Sequence, residues 1–207
     1  FKEYNQAVEN ATIAEKHLVA LTSMVPFAVF HFYDSLSQLA IFSEAKETTQ
    51  KRILKKVGKN QKKMKRWAHH APMNYLHKWQ LVQAERARVL GKDEKAIGFY
   101  EQAIAGAKEN QYLQEEALAN ELFANFYLKK GKTDKARKYM IEARYCYDHW
   151  GAKAKVDHLD QNYPELLAVE AIKPSKDSTH ENDLKPGTTT SNQLKGEQLD
   201  LTSVMKA

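Results

Sequence analysis

If this chain performs chemistry, only a short set of residues can supply it. Gly91-Lys92 and Gly131-Lys132-Thr133 offer Gly-Lys pairs of the kind that cradle phosphate. A phosphate loop needs G-x-x-x-x-G-K-[ST] after a strand, so that backbone amides ring the phosphates and a hydroxyl meets Mg²⁺. The stretch "ERARVL" before Gly91 holds no glycine, and Asn125 to Lys130 before Gly131 is helical in pattern, so neither pair fits. His69, His70 and His77 cluster, with His31 far upstream. Adjacent histidines point different ways on a helix, and no carboxylate or second histidine four residues on completes a metal site. Cys146, between Tyr145 and Tyr147, lacks a neighbouring base and reads as a buried structural thiol. Asp148-His149 reads as a capping pair before Gly151, with no serine placed to join it. The residues therefore predict no catalytic centre, cofactor or metal in this segment.

The elements that carry these residues must be helices. Glycine and proline number 8 and 5, too few for the turns of an all-β fold. A single cysteine excludes an internal disulfide and fits a reducing, cytoplasmic setting. The most apolar window, Leu18 to Tyr33, is short for a membrane span and is broken by Thr22, Ser23, Pro26 and His31, so no span is expected. The chain begins at Phe1 and ends inside the apolar run "LDLTSVMKA", which reads as a segment of something longer.

The formal charge of +6 is uneven: Lys51 to Arg66, "KRILKKVGKNQKKMKR", holds nine Lys or Arg and no acid, leaving the remainder net acidic. That run invites a basic adaptor for nucleic acid or anionic surfaces. Against it, Ile53, Val57, Met64 and Trp67 recur at helical spacing, which makes the lysines the outer face of an amphipathic helix. Nucleic-acid readers also interleave aromatics for stacking, and this face has only Trp67 at its end. Nucleic acid is the lesser expectation.

Apolar spacing predicts helices over residues 2–24, Phe27 to about Ala45 and Glu47 to Ala68, with "AHHAPMN" as a turn. From Ala84 onward an internal repeat appears. Ala84, Gly91, Ala96, Phe99 and Ala103 align without a gap on Ala124, Gly131, Ala136, Tyr139 and Ala143. A repeat of that length predicts stacked helical hairpins, each turned at a left-handed glycine. The alanines mark close helix approach, and Phe99, Tyr100 and Tyr139 fill the adjoining groove. A last helix from Ala152 to about Ala168 would cap the open end. After Val169 the composition turns to Ser, Thr, Asn and Pro. The expected organisation is N-terminal helices over 1–70, repeats and cap over 72–169, a disordered linker over 170–196 and the start of a further helix over 197–207.

The hairpins resemble the tetratricopeptide family: Gly91, Ala96, Tyr100 and Ala103 fit its turn and second helix, and Phe123, Ala124 and Tyr127 fit the following first helix. The period is longer than the family's, Gln83 and Ala87 stand where large residues are expected, and Met140 replaces an aromatic. Over most of the chain, "FHFYDSL", "WAHHAPMNYLHKWQLVQAERARVLG", "QEEALANELFANFYLKKGK" and "YCYDHWGAKAKVDHLDQNYPELL" resemble the helical middle region of cyanobacterial-type signalling proteins. Those join a serine/threonine kinase and a P-loop ATPase to a GAF sensor and often a histidine kinase. The resemblance implies an all-α, tetratricopeptide-like short solenoid within a kinase parent. The segment itself would be a non-catalytic scaffold coupling neighbouring domains or binding a peptide. In that register Lys78, Leu81, Glu85, Arg88, Leu118, Glu121, Asn125 and Leu128 line the partner groove.

Overall fold

The chain reverses direction wherever a residue adopts the left-handed backbone conformation. Those positions are Gly91 (φ 68°), Gln111 (φ 61°), Gly131 (φ 68°) and Gly151 (φ 82°), each 20 residues after the last. At every one the next N–H reaches back five residues: Lys92 to Ala87, Tyr112 to Ala107, Lys132 to Tyr127 and Ala152 to Tyr147, at 2.9 to 3.0 Å. The left-handed residue itself donates to the carbonyl three before it, as Gly91 does to Arg88 at 3.1 Å. This paired closure satisfies carbonyls that a helix end would otherwise leave bare.

A computed structural model describes residues 3–18 and 25–168. They form α1 (Tyr4–Glu15), α2 (Val25–Ala40), α3 (Glu47–His70), α4 (Pro72–Val89), α5 (Asp93–Glu109), α6 (Leu113–Lys129), α7 (Thr133–His149), α8 (Lys153–Asn162) and α9 (Pro164–Leu167). A 3-10 turn, Phe42–Glu44, joins α2 to α3. No strand occurs among the described residues, so the fold is all-α. The expected linker over 170–196 and helix over 197–207 lie outside them.

Short turns make α4 and α5 one antiparallel hairpin and α6 and α7 another, with α5 packed on α6. The helices approach closely because Ala96, Ala103, Ala136 and Ala143 are buried where they meet. Tyr100 lies fully buried and stacks on Phe123 with ring centroids 4.8 Å apart. Tyr139 closes on the same ring at 4.3 Å, and Phe99 meets Trp79 edge-on at 5.9 Å. Phe32 and Leu39 of α2 and Ile53, Val57 and Met64 of α3 join Leu81, Tyr100 and Phe123 in one core. Met140, Cys146, Val156, Leu159 and Leu166 form a second core beneath α8 and α9.

Proline explains two of the boundaries that differ from the sequence expectation, and α2 (Val25–Ala40) also stops short of the expected Ala45. The "AHHAPMN" turn shrinks to the single residue Ala71 (φ −140°, ψ 71°), because Pro72 takes the first position of α4. Proline is suited there, since the first turn needs no N–H from it. The expected helix from Ala152 to Ala168 is two helices, parted at Tyr163 where Pro164 starts α9. Likewise the helix expected over 2–24 is α1, ending at Glu15, and residues 19–24 lie outside the description.

Gln111 performs in α5–α6 what glycine performs elsewhere, against the steric penalty of its Cβ. Gln111→Gly should therefore stabilise the fold, and Gly131→Ala should destabilise it by about 1 kcal/mol. Urea unfolding of the two variants against the parent checks the pair of opposite signs.

Candidate functional site

Several ionisable side chains of the helical stack are buried, and each is held by a specific partner from a neighbouring turn or helix. Glu85 of α4 accepts hydrogen bonds from Arg88 Nε (3.1 and 3.0 Å) and Nη2 (2.6 Å), and from the Tyr100 hydroxyl of α5. Burial, and then the Glu85 carboxylate, holds the Tyr100 hydroxyl well above the ordinary phenol range. Glu121 of α6 repeats the pattern, taking the Tyr147 hydroxyl of α7 at 2.9 Å and Lys155 of α8 at 2.7 Å. Burial first, and Glu121 second, raise the Tyr147 hydroxyl in the same way. A carboxylate shared by a tyrosine and a cation is satisfied on both oxygens, which ties the helices that carry the three groups.

A third cluster joins α4, α5 and α6. Lys78 Nζ lies 3.2 Å from Glu115 Oε1, 2.9 Å from His77 Nε2 and 3.9 Å from the centre of the Tyr112 ring. Tyr112 in turn donates to Asn74 Oδ1 at 2.8 Å. Burial, and then the Lys78 charge, lower His77 to about 3, so the ring is neutral and accepts from the ammonium at Nε2. A fourth cluster ties α2 to α3. Asn60 donates to Asp34 Oδ2 at 2.8 Å and sits 3.0 Å from His31 Nδ1, while Lys56 pairs with Asp34 at 3.1 Å and with Glu15 of α1 at 3.2 Å.

The sequence candidates now have places. Lys78, Leu81, Glu85 and Glu121 are buried, so they offer no free surface in the groove expected of them. Their polar atoms are bonded within the chain, a long-range fact that helical register alone does not reveal. Arg88, Leu118, Asn125 and Leu128 are half-buried. The structure brings Glu85, Arg88 and Asn125 together around a cavity of about 160 Å³, and adds Tyr4 of α1, Ala40 of α2 and Leu122, Phe126 and Lys129 of α6. Tyr4, Ala40 and Leu122 carried no sequence signal, because the contact that matters joins helices far apart in the chain.

His69 and His70 are exposed neighbours with ring centres 5.2 Å apart, and His77 and His31 belong to two different buried clusters. Among the described residues no three His, Cys, Asp or Glu side chains group so as to hold a metal ion. Cys146 is buried, and burial together with Glu116 pushes its thiol up to about 12, which suppresses the nucleophilic thiolate. The basic run divides by function. Lys56 pairs with Asp34, and the exposed Lys63 reaches back to His31 and the Phe27 ring, whereas Arg52, Lys55, Lys59, Lys62 and Arg66 form an exposed stripe along α3.

Comparison with known proteins adds one link. A stretch of 61 residues, 30% of the chain, is 43% identical to hybrid signal transduction histidine kinase G of Dictyostelium discoideum. The match covers 2% of that protein's length. No family model matches the chain, and no solved structure does. The likeness connects this helical segment to a signal-transduction kinase. No helix among the described residues is long and apolar enough to cross a membrane.

The buried neutral His77 carries a pH signature. Its folded value lies below the ordinary 6.5, so between about 6.5 and 3 the unfolded chain binds the extra proton. Stability from this group is complete above 6.5 and falls as pH drops toward 3. His77→Phe should flatten that part of the stability–pH curve relative to the parent, as read by urea unfolding at stepped pH.

Proposed function

We propose that this chain is a non-catalytic, tetratricopeptide-like scaffold that couples domains of a multidomain signal-transduction kinase of the serine/threonine and histidine kinase type. The observation that carries the reading is the likeness to a hybrid histidine kinase in a chain that engages Glu85, Glu115 and Glu121 between its helices. The hairpin order and the left-handed glycine turns support the tetratricopeptide comparison. The buried thiol of Cys146 accords with work in the cytoplasm. In the longer protein, residues 1–70 would continue an upstream helical region, 72–169 would hold the repeats and cap, and 170–207 would lead toward a GAF-like domain. The partner is a neighbouring domain or a peptide, docked at the cavity where Arg88, Asn125 and Lys129 meet.

Lys129 is exposed at that cavity and Leu122 lines it half-buried. In the full-length kinase, Lys129→Glu and Leu122→Ala should change autophosphorylation by roughly threefold or more while helical circular dichroism stays constant, a coupling on the scale usual between sites. Unchanged phosphorylation in both variants would remove the groove from the coupling path.

The stripe on α3 favours a second reading, an adaptor for nucleic acid or anionic surfaces. Arg52, Lys55, Lys59, Lys62 and Arg66 recur every three or four residues, so they share one exposed face. Contact with five phosphates would weaken duplex DNA binding by roughly 10²–10³-fold between 50 and 200 mM salt. A fluorescence-anisotropy titration checks it, and absent or salt-insensitive binding contradicts it.

A further inference from the structure

The Gly-Lys turn after α4 does not have the sequence of a phosphate loop, yet the fold builds a cationic cleft beside it. Arg86 of α4 and Lys92 and Lys95 at the start of α5 border a cavity of about 150 Å³, with Gln83, Leu90 and Phe99 on its other walls. No carboxylate lines it. Asp93, in the same helical turn, is committed to Lys130 at 2.5 Å. Arg86, Lys92 and Lys95 have no ion-pair partner among the described residues, and the Arg86 Nε is buried without a hydrogen-bond partner. A buried guanidinium N–H left unpaired costs free energy that an anionic acceptor would recover. Lys92, at the cap position, and Lys95, in the first turn, place two like charges at one end of α5.

The equivalent turn of the second hairpin supplies an internal comparison. Lys132 and Lys135 recur there, but Phe126 replaces Arg86, and Asp134 borders the shallow hollow beside them. Lys135 is already engaged, its Nζ lying 5.4 Å from the centre of the Tyr127 ring. The first turn alone combines a planar guanidinium with two unpaired ammonium groups.

We propose that the cleft at the α4–α5 turn, formed by Arg86, Lys92 and Lys95, binds the dianion of a phosphate monoester. The guanidinium fork matches two phosphate oxygens, and the two ammonium groups serve as point charges for the third. Leu90 and Phe99 give the attached carbon chain an apolar wall, which suits a phosphorylated side chain. The first turn of α5 also carries Asp93 and Glu94, so the attraction for an anion comes from the three cationic side chains rather than from the helix end. The site shares no residue with the cavity of Glu85, Arg88 and Asn125, so it stands or falls apart from the coupling reading.

The test titrates the chain with O-phosphoserine and, separately, with inorganic phosphate at constant ionic strength, following the Arg86 Nε–H resonance by NMR. Saturable shifts are expected, with Arg86→Gln and the pair Lys92→Gln, Lys95→Gln each weakening binding about tenfold or more. The pair Lys132→Gln, Lys135→Gln should stay within about twofold of the parent, and Arg86→Lys, which retains charge without the fork, should fall between. Tighter binding of phosphoserine assigns the site to a phosphorylated side chain, and equal or tighter binding of inorganic phosphate assigns it to the free ion. Absence of saturable binding by both probes overturns the proposal. So does equal loss in the Lys132, Lys135 pair.

Discussion

One backbone closure sets the architecture: a left-handed residue followed by an N–H that reaches back five positions. It recurs at residues 91, 111, 131 and 151 and thereby gives α5, α6 and α7 the same length of 17 residues. Equal helices joined by equal turns lie alongside their chain neighbours, and small residues occupy buried positions in each hairpin. These are Ala96 and Ala103 in α5 and Ala136 and Ala143 in α7, all almost fully buried. The 40-residue sequence repeat is thus two steps of a 20-residue structural repeat.

Within that frame, buried charge sets register. Glu85 takes Tyr100 and Arg88, Glu121 takes Tyr147 and Lys155, and Glu115 takes Lys78. Removing one member of such a group leaves the other buried and unpaired, so each group penalises a helix that slides from its place. The same engagement holds each of these side chains between fixed partners.

The fold was largely legible because its signals are local. Gly91, Gly131 and Gly151 announce helix ends, and the alanine spacing announces close packing. Gln111 hid the fourth turn, since nothing in its type marks a left-handed residue. Pro72 reads as part of a turn and Pro164 lies inside one expected helix, although each begins a helix of its own. The groove was far less legible. Helical register located the faces of α4 and α6 but could not show that Tyr100 and Tyr147 reach across to Glu85 and Glu121, nor that α1 brings Tyr4 to the cavity. The cationic cleft depends likewise on Arg86 and Lys95 meeting across a turn.

The central claim is that one closure, repeated through α4 to α8, makes these helices a single stack. Amide hydrogen exchange at Lys92, Tyr112, Lys132 and Ala152 tests it most directly, because each N–H lies in a surface turn and is slowed only if the reach-back bond is formed. The account predicts that all four are protected together, by about 10² or more over the unstructured rate. Free exchange at Tyr112 beside protection at Lys92 and Lys132 would contradict it.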